Sequence, residues 1–225
     1  MSESLKMIFS AIDFEIEGAL KKHRFAREIS APFEVWRNDS RRIVITGIGL
    51  TPAAAAFAWA CGKFDFDEAL NVGTAGATTA SDCVFEPFDE DAEFDVLYDG
   101  VSENSAAGSD GQTRKSAPLV FARAYGISRV SSIEPYSDRI FTLAERGRTL
   151  ATSSRPVESL KRRTIAAAKG DLVDMEGYAL AFAADVFGKK LSMIKMVSDF
   201  SQDCDINANI RKLSRRLANV RGIFS

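Results

Sequence analysis

Four short apolar runs in this chain each end on an acid or a glycine. Met7 to Ile12 (MIFSAI) leads into Asp13-Phe14-Glu15, and Ala69 to Gly73 (ALNVG) into Thr74-Ala75-Gly76. Asp171 to Met175 leads into Glu176, and Leu191 to Val197 into Ser198-Asp199. Runs this short, with polar or glycine flanks, predict buried strands rather than helices. Between them lie helix-like segments at Glu15–Lys22, Thr51–Cys61, Val157–Lys169 and Glu176–Phe187, and another, Asn207–Arg221, follows the last. Thr51 is expected as an N-cap with Pro52 in the first helical position, Gly62 as the stop of that helix, and Gly188 as the stop of Glu176–Phe187.

Further strands are expected at Glu34–Asn38 and Arg42–Ile48, as a hairpin through Asn38-Asp39-Ser40. Others are expected at Cys83–Phe88, Phe94–Tyr98, Leu119–Val130, Arg139–Leu143 and Arg148–Thr152. Residues 100–116 are rich in Gly, Ser and Asp and are expected to form a loop. Alternation of strands and helices with one antiparallel insertion predicts an α/β fold. It is a single domain over residues 1–225, a mixed central sheet with helices on both faces.

Composition removes several function classes. The chain has 225 residues, is 46% hydrophobic and carries a formal net charge of −2, which gives no polyanion-binding surface. The basic face of Asn207–Arg221 reads as solvated, so no nucleic-acid partner is expected. The longest apolar run, Pro52 to Gly62, is too short for a bilayer, and the polar start MSESLK is no signal peptide. No membrane partner is expected, and a cytoplasmic location is. Three scattered cysteines and one histidine, His23 in the basic run Lys21–Arg24, give no metal site and no histidine-based nucleophile.

In sheets of this kind ligands gather at the carboxyl ends of strands. Glu15, Glu176 and Asp199 fall there, with Asp174 beside Glu176. Carboxylates with no ring-nitrogen base suit cleavage of a glycosidic bond, in which one acid protonates the leaving group and another activates water. Each could instead be a helix cap or a surface charge. Gly47-Ile48-Gly49 could cradle an anion on free N–H groups. The small residues of Asn71–Gly76 could let a flat ligand approach the backbone, or simply admit a close helix.

In this order the motifs resemble the nucleoside phosphorylase/nucleosidase superfamily, most closely its methylthioadenosine/S-adenosylhomocysteine nucleosidase branch. FSAIDFEIEGAL, TGIGLTPAAAA, LNVGTAGA, and VDMEGYALA followed by KMVSDF carry the match. The resemblance implies that Asp199 is the general acid toward purine N7 and Glu15 the base that activates water. It implies that Glu176 accepts from the ribose hydroxyls and Met175 packs on the sugar. Thr74, Ala75 and Gly76 would line the base and reaction centre, with Ser198 and Asp174 beside them. It implies a homodimer, a nucleoside as the small-molecule partner, and no cofactor. A phosphate-dependent phosphorylase and a non-catalytic nucleoside binder are the alternatives. The acids of Asp13–Glu17 would repel phosphate, which favours water. Two departures stand out. Thr152-Ser153-Ser154-Arg155-Pro156 lacks the aromatic that stacks on the base in relatives, and the segment after Asp199 is short and polar.

Overall fold

The computed structural model describes residues 6–79, 85–86, 95–96, 98, 120–121, 124–134, 138–199 and 206–224. Strand β1 (Lys6–Ser10) is buried on both faces apart from Lys6, as expected of a strand with parallel neighbours. Those neighbours are β4 (Arg41–Ile45) and β5 (Glu68–Ala77). Strands β2 (Ala26–Ile29) and β3 (Glu34–Arg37) extend β4 as an antiparallel edge. On the other side β5 pairs in parallel with β12 (Lys190–Asp199) along most of its length.

From β12 the order continues through β8 (Ala124–Ser132), β10 (Arg148–Thr152) and β11 (Leu172–Asp174). Strand β11 then pairs antiparallel with the end of β5, through Leu172 opposite Ala77 and Val173 opposite Gly76. Five strands therefore close into a ring, and β1, β4, β3 and β2 extend outward from it. The short β9 (Phe141–Thr142) adds to β8, while β6 (Phe85–Glu86) and β7 (Val120–Phe121) form a separate pair.

Helices cover both faces of the mixed sheet, as the alternating pattern predicts. Helix α1 (Asp13–Lys22) packs on α5 (Ile206–Leu217), and α2 (Leu50–Lys63) on α4 (Gly177–Val186). The α1–α5 crossing is close: a Cβ on Gly18 would lie 2.6 Å from the Ser214 carbonyl oxygen, so only glycine fits. Helix α5 turns Ile210, Leu213 and Leu217 inward, the stripe its sequence period predicts.

Several boundaries differ from expectation. Helix α2 is capped at Gly49, not Thr51, because Gly49 adopts φ 103° and ends the preceding turn two residues earlier. Pro52 is still in the first turn, where a missing N–H costs nothing, and the helix runs past Gly62 to Lys63. Helix α3 (Leu160–Ala167) starts later than Val157, since the Ser159 hydroxyl accepts from the Arg162 N–H. Val157 instead packs with Ala166 and Val173. Strands β5 and β12 run further than read, so Thr74–Gly76 and Ser198-Asp199 belong to strands rather than to the loops after them. In the run from Leu119 to Val130, β7 and β8 are separate strands. Of the expected strand Cys83–Phe88 only Phe85–Glu86 lies among the described residues, as β6. Asp95, Val96 and Tyr98 of the expected strand Phe94–Tyr98 are described and belong to no strand, and the expected loop at 100–116 lies wholly outside the described residues.

Candidate functional site

Glu15 opens onto the strands from the first turn of α1 and is only 5% exposed. Its Oε1 accepts from the Thr74 N–H at 2.8 Å and from the Thr74 hydroxyl at 2.7 Å. Its Oε2 accepts from the Ser10 hydroxyl at 3.2 Å. The carboxylate lies flat against Gly73, where a Cβ would come within 3.0 Å of Oε2. A glycine inside a buried strand is costly unless something needs the space; here an acid fills it.

Glu176 and Asp174 flank Met175, which is half-buried. Glu176 stands at the N-cap position of α4 but caps nothing with its side chain. Its Oε1 instead accepts from the Gly49 N–H at 2.8 Å. The Gly47-Ile48-Gly49 turn thus offers an N–H to an acidic group, and that group is the protein's own Glu176. Burial, and next the charge of Asp174, push the Glu176 carboxyl up to about 7, with Glu15 adding to the push. Lys195 and the Gly49 N–H pull the other way.

Asp174 has both oxygens engaged. Oδ1 accepts from the Thr152 hydroxyl at 2.7 Å, and Oδ2 accepts from the Gly177 N–H at 2.9 Å and meets the Lys195 Nζ at 2.9 Å. Thr152 Oγ1 in turn accepts from the Tyr178 N–H. One buried ion pair thereby ties the ends of β10 and β11 and the start of α4 to the middle of β12. Burial disfavours the charged form of Lys195, but Asp174, Glu176 and Glu15 outweigh it and hold the ammonium more firmly than usual. Lys195 was not singled out from the sequence. A lysine inside the apolar run MIKMV was a usable signal, because a core strand admits a charge only beside a partner.

Asp199 closes β12 on the other side of the site. Its Oδ1 accepts from the Ser198 hydroxyl at 2.9 Å, and its Oδ2 meets the Arg163 guanidinium at 2.5 Å. Its carboxylate packs on Gly76, where a Cβ would lie 3.2 Å from both oxygens. Gly73 and Gly76 thus serve the two acids, while Thr74 and Ala75 separate them along β5. At ~3.3 Å per strand residue the two contact points are roughly 10 Å apart. Arg163 was also missed: in LKRR it reads as part of a solvated helix face.

The structure therefore brings Glu15, Asp174 and Glu176 into one electrostatic cluster around Lys195. It sets Asp199 with Ser198 and Arg163 at the other end of the Thr74–Gly76 segment. No aromatic side chain comes from 152–156: Ser153 accepts from Arg162, and Ser154 donates to Glu134. A cavity of about 570 Å³ opens instead at the amino-terminal ends of β1, β5 and β12, lined in part by Lys6, Leu70 and Lys190. None of these acids lines it. Among the described residues no helix is long and apolar enough to cross a membrane.

No family model and no curated protein matches this chain. Solved structures do. A futalosine hydrolase variant of Helicobacter pylori superposes with a TM-score of 0.68 at 14% identity, covering 95% of each chain. A Helicobacter pylori methylthioadenosine/S-adenosylhomocysteine nucleosidase variant, with 5′-methylthioadenosine in its active site, gives 0.67 at 12% identity over 96% of this chain and 95% of the other. The Arabidopsis thaliana 5′-methylthioadenosine nucleosidase gives 0.68 at 15% identity over 96% and 92%. The chain therefore shares the fold of this futalosine hydrolase and of these methylthioadenosine nucleosidases.

Proposed function

We propose that this chain is a nucleosidase. It would hydrolyse the N-glycosidic bond of a 5′-modified purine nucleoside, of the methylthioadenosine/S-adenosylhomocysteine type, to free base and sugar. The observation that carries this reading is the buried Glu15 carboxylate, held by neutral donors at the carboxyl end of β1. Ser10 and Thr74 orient it without neutralising it, which suits a base that takes a proton from water.

In this reading Asp199 gives a proton to purine N7 as the bond from the sugar C1′ to the base breaks. The sugar becomes cationic in the transition state, and the carboxylates of the Lys195 cluster favour it over the neutral ground state. Glu15 deprotonates the attacking water. Glu176, once ionised, accepts from the ribose hydroxyls, and Met175 packs against the sugar. Thr74, Ala75 and Gly76 line the passage between base and sugar. Asp174 acts from behind, since its oxygens are taken by Thr152, Lys195 and Gly177. The homodimer implied by the resemblance has a candidate surface in Phe182 and Val186 of α4 and in Phe187, which follows it, all 45% exposed or more.

Phosphorolysis by the same fold is the competing reading. It needs donors for phosphate beside the sugar. The Gly49 N–H, a natural candidate, is already given to Glu176, and Glu15 adds negative charge nearby. The test is chromatography of free base released from methylthioadenosine, adenosylhomocysteine, adenosine, inosine and futalosine, with and without phosphate. Release that ignores phosphate and is lost in Asp199→Asn and Glu15→Gln is the expected result. Release only with phosphate would make the chain a phosphorylase. Binding without release would leave it a non-catalytic member.

A further inference from the structure

We infer that Arg163 is a positioning residue for Asp199, so that helix α3 is part of the reaction machinery. The inference rests on the nucleosidase reading, in which Asp199 is the general acid. Arg163 reaches from α3 across to the ends of two strands. Its Nη2 meets Asp199 Oδ2 at 2.5 Å, and its Nη1 donates to the Ala77 carbonyl at 2.6 Å. Arg163 and Asp199 have side chains only 8% and 11% exposed. A planar guanidinium anchored at both points fixes the plane of the carboxylate far better than a single flexible contact would. The Ser198 hydroxyl holds the remaining oxygen, and Gly76 leaves room for the group to lie against β5.

The chemistry gives this clamp a purpose. When the glycosidic bond breaks, its electron pair goes to the base, and the proton of Asp199 moves to N7, so the base leaves neutral. Asp199 is left as a carboxylate in a buried site. Arg163 is already there to balance that charge, and the ion pair in the structure is the arrangement that follows proton transfer. Water attacks C1′ and gives one proton to Glu15; Glu15 then releases that proton to solvent, and solvent returns one to Asp199. Nothing else is consumed. A bland alternative exists: Arg163 could merely staple α3 to the sheet. A staple would matter equally for every substrate, whereas a partner of the general acid matters only when the leaving group must be protonated.

The experiment compares two substrates with the same 5′-methylthio sugar, methylthioadenosine and the corresponding 4-nitrophenyl riboside. Nitrophenolate leaves without protonation. In Arg163→Met, kcat on methylthioadenosine should fall about 100-fold, the scale of general acid catalysis. The loss on the nitrophenyl substrate should be smaller by a factor of 30 or more. Arg163→Lys should recover part of the kcat on methylthioadenosine. In an Asp199→Asn background, Arg163→Met should cost little more, because residues acting through each other are not additive. That double variant also removes both charges at once, so it does not leave one buried alone. Equal losses on both substrates, or full additivity with Asp199→Asn, would overturn the inference and leave the nucleosidase reading intact. A wild type that cleaves no purine nucleoside would overturn both.

Discussion

Glu15 and Asp199 lie against the same strand, each on its own glycine, yet they are held in opposite ways. Around Glu15, three carboxyl groups share, among the described residues, the ammonium of Lys195, and the donors on Glu15 itself are neutral hydroxyls and an N–H. Around Asp199, one carboxylate faces one guanidinium. The first region keeps an excess of negative charge where the sugar would become cationic. The second is balanced, as suits a group that handles one proton. One strand thus carries two electrostatic environments, separated by Thr74 and Ala75.

That contrast can be broken most severely at Lys195. Lys195→Met leaves Asp174, Glu176 and Glu15 without a counter-charge in a dry site. It should cost about 3–5 kcal/mol in urea unfolding, with Lys195→Met/Asp174→Asn recovering part of the loss. Unchanged unfolding in the single variant would mean that the acids are not jointly ionised.

A slightly smaller effect is expected from pH. Glu176 titrates near 7 in the folded chain against an ordinary 4.5. Between those values the folded state holds a proton that the unfolded state has lost. Stability should therefore fall as pH rises from 4.5 to 7, by roughly 3 kcal/mol, and level off above. Glu176→Gln should remove that dependence and be the more stable form at pH 8. Thermal unfolding from pH 4.5 to 8 checks both statements, and parallel curves for the two proteins would refute them.

The glycines sharpen the comparison through activity. Gly73→Ala and Gly76→Ala each put a methyl within about 3 Å of one acid. The acid must then shift by a few tenths of an ångström, and since a misplacement of about 1 Å costs roughly 100-fold, the loss in kcat should be up to about 100-fold. Gly73→Ala should weaken turnover of both purine and nitrophenyl substrates, since water activation serves both. Gly76→Ala should spare the nitrophenyl substrate more. The smallest effect is expected at Ser10→Ala, which deprives Glu15 Oε2 of a partner and should cost about 1–2 kcal/mol in unfolding.

The acids were legible because charge at the inner end of an apolar run is expensive, and such positions stand out. Glu15, Asp174, Glu176 and Asp199 could be marked on that ground alone. Their partners were less visible. Lys195 carries the same signature as the acids and could have been read with them. Arg163 could not, since LKRR is what any exposed helix offers, and only the tertiary fold turns one of its two arginines inward. The hydroxyl of Ser10 is likewise ordinary until α1 folds back over it. The glycines of NVGTAG were legible as space, but the space belongs to carboxylates. Sheet order was legible as alternation; ring closure was not, because the pairing of β11 with β5 joins segments almost a hundred residues apart.

The central claim is that water, activated at Glu15, is the nucleophile at C1′. The most direct measurement is mass spectrometry of the sugar product after reaction with methylthioadenosine in ¹⁸O-water, with phosphate present. The account predicts free methylthioribose carrying one ¹⁸O, with the label lost only when Glu15→Gln abolishes turnover. A sugar 1-phosphate without label would contradict it.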